Sequence, residues 1–263
     1  MGALTMLKKR IIPKFLVKDH RLVKAVRFRD DFREAGNPVT TAKVYDAYGV
    51  DELIFLDIQA TPEQRCAVTH IIERVSEEVF MPFTVGGGVR SLDDVNRLLQ
   101  AGADKVCINT AAIERPEFIE EAASRFGDQC ITVAIDYREV ERGIHRVYSH
   151  CGSQGTDLEP LGWALQMQEC HCGEILMCSM DRDGTMAGYD LEMVERAAGV
   201  LDVPLIASSG AGSLQDCREA FEAGASAITI SSMFLFTDHS PIKVRSFLST
   251  NGVDVRAQTG SHS

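Results

Sequence analysis

Short runs of β-branched and aliphatic residues recur along the chain, and between them apolar positions return at i, i+3 and i+4. The first pattern fits strands buried on both faces and the second fits helices with one apolar stripe, so their regular alternation predicts βαβ units around a parallel sheet. Eight runs qualify as strands: RIIPKFLV (10–17), ELIFLDI (52–58), FTVGG (83–87), KVCIN (105–109), CITVAID (130–136), EILMCSM (174–180), PLIAS (204–208) and AITIS (227–231). The helix expected after FTVGG has Ser91 as N-cap, Asp94 in the capping-box position, and Leu92, Val95, Leu98 and Leu99 as its stripe. Eight such units predict an α/β fold, a single (β/α)8 TIM barrel over residues 1–256, an architecture that takes about 250 residues. No Pro/Gly/Ser linker divides the chain. Met6 is an alternative start, and residues 257–263, AQTGSHS, are expected to form a disordered tail.

The pattern also repeats. Residues 83–110 align without a gap on 205–232, sharing Gly88/Gly210, Ser91/Ser213, Leu92/Leu214, Asp94/Asp216 and Ala101-Gly102-Ala103/Ala223-Gly224-Ala225. A match over 28 positions exceeds what βα units share by architecture alone, and it implies two half-barrels, strands 1–4 and 5–8.

Composition narrows the partners. Lys plus Arg number 27 against 38 Asp plus Glu, a formal charge of −11, the wrong sign for a binder of nucleic acid or of a membrane surface. No apolar run reaches the roughly 18 residues of a membrane span, and a cytoplasmic protein is expected. The eight cysteines are irregularly spaced and are read as free thiols. Cys170-His171-Cys172 lacks a second ligand pair, so no metal and no cofactor is assigned.

Each half carries a glycine-containing turn at a strand end, followed by a helix, and its next strand ends in small polar residues. The sets are Gly86-Gly87-Gly88 with Asn109-Thr110, and Ser208-Ser209-Gly210 with Ser231-Ser232. Glycine lets backbone N–H groups approach an anion, the helix start adds positive dipole and hydroxyls donate further bonds. Two anion cups half a turn apart imply two phosphates on one elongated substrate, with Gly88, Asn109, Thr110, Ser208, Gly210, Ser231 and Ser232 as ligands. Asp136 ends strand 5 ahead of a hairpin expected around residues 143–147, so helix capping does not account for it, and it is a candidate acid or base. Asp183, in DRDGT, and Asp57, near the end of strand 2, are further candidates that turn formation explains equally well.

These residues resemble the cyclase (synthase) subunit of imidazole glycerol phosphate synthase over about residues 6–256. The resemblance rests on RIIP (10–13), VKD (17–19) with Lys24, DEL-FLDI (51–58), FTVGGG (83–88), ADKVCINTAA (103–112), AID (134–136), GEI (173–175), DRDGT-GYD (181–190) and IAS-GAG (206–212). It implies half-barrel pseudosymmetry, two phosphate sites to which Gly184 also belongs, a glutaminase partner docked at the N-terminal face as a heterodimer, and ammonia passing through the barrel. The mouth of that passage corresponds to a ring of charges, here Arg10, Glu52, Lys105 and Glu174.

One departure matters most. The family's two catalytic aspartates end strands 1 and 5; the second matches Asp136, but the first falls on Leu16, and leucine exchanges no proton. Lys14 replaces a residue that is usually small in the family, His20 and Ala25 stand where glycines are usual, and Ser209 is a further departure in the second phosphate turn. These changes, with the KD-x-x-LVK segment (18–24), resemble a branch associated with surface-polysaccharide genes that makes acetamidino sugars. The chain is therefore expected to be an ammonia-using synthase-type subunit acting on a phosphorylated or sugar-nucleotide-like substrate. The alternatives are an ordinary histidine-pathway cyclase, with Asp57, Lys24 or a water replacing the missing aspartate, and a non-catalytic ammonia conduit. By the period-2 rule Lys14 shares a face with Arg10 and Leu16, which predicts an ammonium inside the barrel or, by a local twist, outside it.

Overall fold

The computed structural model describes residues 8–67 and 69–256; Met6 and the tail expected at 257–263 lie outside the described residues. The strands are β1 (Arg10–Lys18), β2 (Arg21–Lys24), β3 (Arg33–Gly36), β4 (Leu53–Asp57), β5 (Phe83–Gly86), β6 (Lys105–Ile108), β7 (Ile131–Glu141), β8 (Ile144–Ser149), β9 (Gln154–Gly155), β10 (Glu174–Ser179), β11 (Leu205–Ser208) and β12 (Ala227–Ile230). The α-helices are α1 (Pro38–Ala47), α2 (Thr69–Ser76), α3 (Leu92–Gln100), α4 (Thr110–Glu114), α5 (Glu117–Phe126), α6 (Pro160–Glu169), α7 (Leu191–Ala198), α8 (Leu214–Glu222), α9 (Ser232–Phe236) and α10 (Pro241–Thr250).

Strands β1, β4, β5, β6, β7, β10, β11 and β12 are parallel neighbours in that order, and β12 pairs back onto β1 with Arg10 beside Ala227. The sheet is thus a closed (β/α)8 barrel, and each of its strands falls on one of the eight apolar runs. Alternate residues divide between two cores. Ile12, Ile54, Cys107, Leu176 and Ile206 meet inside the barrel, while Ile11, Phe15, Phe55, Ile131 and Ile175 pack outward under the helices. Among the described residues no helix is long and apolar enough to cross a membrane.

Two additions lie at the C-terminal mouth. Strand β7 runs on past the barrel and returns as β8, the hairpin expected around 143–147. Strand β1 turns back through Asp19 and His20 into β2, which pairs with β3; these short strands carry little alternation of their own. Asp19 and His20 have φ of 48° and 60°, the left-handed pair that a two-residue hairpin of right-handed twist requires.

The repeat extends to backbone detail. Ser91 and Ser213 each cap a helix in a full capping box with Asp94 and Asp216. Asn109 and Ser231 take nearly the same conformation, with φ/ψ of −125°/−79° and −131°/−80°.

Candidate active site at the barrel mouth

At the N-terminal end of the barrel, β1, β6, β10 and the residue before β4 each send one charge inward. Arg10 reaches Glu52 at 2.9 Å and Glu174 at 2.6 Å, and Lys105 reaches the same two carboxylates at 2.9 Å each. Thr84 Oγ1 donates to the remaining Glu52 oxygen at 2.6 Å. Four side chains that are distant in sequence therefore form one closed ring of alternating sign.

At the opposite end, Asp136 points inward because it follows Thr132 and Ala134 on the face opposite Ile131, Val133 and Ile135. Asn109 Nδ2 donates to Asp136 Oδ2 at 2.9 Å, and the oxygen of that amide, Asn109 Oδ1, is buried with no hydrogen-bond partner among the described residues. Burial pushes the Asp136 carboxyl up to about 6, against the opposing pull of Lys14 and the Cys178 thiol. A group so placed changes protonation close to neutral pH, which is what proton transfer requires. Leu16, the equivalent strand end in β1, pairs with Leu56 of β4 and offers no titratable atom.

The remaining candidates separate in space. Asp183 is buried and accepts both contacts of the Lys24 ammonium, at 2.8 Å each. This pair links the β1–β2 hairpin to the loop after β10. The same loops meet again where Arg27 N donates to Asp183 O at 2.8 Å and where a Cβ on Gly184 would lie 2.5 Å from Ala25 O. Asp57 follows Phe55 on the helix-facing side of β4. Its carboxylate holds Arg65 at 2.6 Å and accepts from Gln59 N and Ala60 N. It therefore organises a turn outside the barrel axis and does not face Asp136.

The two glycine-containing turns differ in cover. At the first, Gly88 N donates to Thr61 Oγ1 at 3.3 Å, the Arg65 carbonyl sits against Gly88 Cα, and Thr110 Oγ1 accepts from His150 N. The second borders a small cavity whose lining includes Lys14, Lys24, Asp183, Gly210, Ser231 and Ser232. In neither half does the helix after the turn present an open N-terminus, because Asp94 and Asp216 occupy it. The strand ends Asn109 and Ser231 make no side-chain cap bond, and the Asn109 amide is turned to Asp136 instead.

Lys14 points inward, as the alternation of β1 predicts. Its Nζ donates to Ser208 Oγ at 2.7 Å and lies 3.5 Å from Cys178 Sγ. Burial pulls its pKa down, but Cys178, Asp183 and Asp136 outweigh this and hold it above the ordinary lysine value. Two neighbours, Cys178 and Thr229, escape sequence reading, and Ser209 shows there only as a departure in the second turn. Ser209 has φ of 81°, stands where the first half has Gly87, and donates to Asp183 Oδ1 at 3.2 Å. A hydroxyl in place of an expected glycine is the signal that marks it.

The profile of the family described as histidine biosynthesis protein matches residues 10–240, a span containing all eight barrel strands, and the chain belongs to that family.

Proposed function

We propose that the protein is an ammonia-using, cyclase-type subunit of a glutamine-dependent complex, a member of the histidine biosynthesis family that has diverged from the ordinary cyclase. The observation that carries the divergence is Leu16, an inward strand end that faces the same mouth as Asp136 but offers no acid or base. In this reading Asp136 alone exchanges protons with the acceptor, oriented by Asn109. Lys24 and Asp183 hold the β1–β2 hairpin over the mouth. The strand ends Asn109, Thr110, Ser231 and Ser232, with Gly88, Gly184, Ser208 and Gly210, take the anionic groups of a phosphorylated or sugar-nucleotide-like substrate. The ring of Arg10, Glu52, Lys105 and Glu174 is the gate through which ammonia from a glutaminase docked at the N-terminal face enters the barrel.

Ammonia-dependent turnover of the histidine-pathway ribonucleotide by the isolated chain tests this directly. Wild-type activity is expected to be absent or at least about 100-fold below that of Leu16→Asp, because losing one member of an acid/base pair costs about 10²- to 10⁴-fold. Rescue is partial, since Lys14 remains beneath the new carboxylate. Wild-type turnover on the order of 1 s⁻¹ or faster, an ordinary enzymatic rate, would establish the histidine-pathway cyclase instead.

A further inference from the structure

Strand registers superimpose the two halves of the barrel. Leu16 pairs with Leu56 and Leu56 with Gly86, just as Asp136 pairs with Cys178 and Cys178 with Ser208. The inward layer beneath the first turn is therefore Leu56, Gly86, Cys107 and Ala134, and the layer beneath the second is Cys178, Ser208, Thr229 and Lys14. Positions that are apolar or weakly polar in one half are hydrogen-bonding in the other.

The four polar residues form one network. Lys14 Nζ donates to Ser208 Oγ at 2.7 Å, Thr229 Oγ1 donates to the same oxygen at 2.8 Å, and Cys178 Sγ lies 3.5 Å from the ammonium and 3.1 Å from Ser209 Oγ. Lys14 is only 4% exposed, yet its contacts are a hydroxyl and a thiol rather than a carboxylate. Asp136 and Asp183 sustain its charge without touching it, so the ammonium stays charged and keeps donor capacity for an arriving anion. Lys14 lines one small cavity together with Gly210, Ser231 and Ser232, which an anion would have to widen to enter.

We propose that Lys14 is a substrate-binding residue whose ammonium takes an anionic oxygen, of a phosphate or a carboxylate, at the floor of the second cup, and so fixes which end of an elongated substrate enters which half. This rests on reading the two turns as anion cups. The first half has Ala134 at the equivalent position and offers no such charge.

Calorimetric titration of the full-length protein with inorganic phosphate and with malonate tests the assignment. Wild-type protein is expected to bind phosphate at two sites. Lys14→Met should weaken one of them by about tenfold, the size of one charge-assisted hydrogen bond, and leave the other unchanged, while Lys14→Arg keeps both. A larger loss for malonate than for phosphate would identify a carboxylate as the natural partner, and the reverse a phosphate. If Lys14→Met does not fold, Ser208→Ala, which removes the hydroxyl that aims the ammonium, should weaken the same site about threefold, part of the contribution of one hydrogen bond. Two phosphate sites that neither Lys14→Met nor Ser208→Ala alters would overturn the role of Lys14 alone. Wild-type protein that binds neither anion would overturn the cups and the role together.

Discussion

Asp136 and Leu16 end equivalent strands of the two halves, yet only one of them carries a proton. The Asp136 carboxyl is raised from the ordinary 3.8 to about 6, so the folded protein binds an extra proton between those values and loses stability as pH rises through that window. Asp136→Asn removes the buried charge. It is expected to stabilise the fold at pH 8 by up to about 3 kcal/mol, roughly 6–12 °C in a protein of this size, and to have little effect near pH 4. Thermal melts at the two pH values check this; a lower melting temperature at pH 8 would mean that the Asn109 amide binds the carboxylate more strongly than burial disfavours it. The same substitution should abolish any proton-dependent turnover.

The βα turns show why the repeat kept some glycines and not others. At Gly88, φ is +65° and a Cβ would stand 1.8 Å from the Arg65 carbonyl oxygen, so the segment that follows β4 can close over the turn only where no side chain exists. At Gly143, in the β7–β8 hairpin, φ is +76° but nothing lies within 4 Å. Gly143→Ala therefore meets only the backbone penalty of a left-handed residue, about 1 kcal/mol. Gly88→Ala adds a collision with backbone and is expected to cost about 3 kcal/mol or more. Urea denaturation of the two variants side by side separates the terms; equal losses would mean that the 58–67 segment moves aside freely.

The charge ring ties the whole molecule together, because its members come from β1, β6, β10 and the start of β4. Glu52 is the most committed, since its carboxylate takes Arg10, Lys105 and Thr84 at once. Glu52→Gln leaves two cations sharing only Glu174 and is expected to cost about 3–5 kcal/mol, as breaking a buried ion pair does. Because the ring is largely shielded from solvent, that loss should be similar in urea titrations at low and high salt, whereas a surface ring would be screened. A loss below about 1 kcal/mol, the worth of a surface pair, would show that water solvates the ring.

The sequence by itself determined the eight strands, the half-barrel repeat, the capped helices and the polar strand ends, because each is written in periodicities and spacings of a few residues. The period-2 rule set Lys14 on one face with Arg10 and Leu16, but left open whether a local twist turned its ammonium outward, and the closed barrel decided that it points inward. Other features needed closure of the barrel. Asp57 and Asp183 look alike in sequence, each a carboxylate at or beyond a strand's C-terminal end, but one faces the helices and binds Arg65 while the other meets Lys24 across 159 positions of chain. The partners of Lys14 lie 164 and 194 positions away, and Ser209 meets the Asp183 carboxylate across 26. Such pairings depend on which strands become neighbours when the sheet closes, and no local pattern encodes that distance.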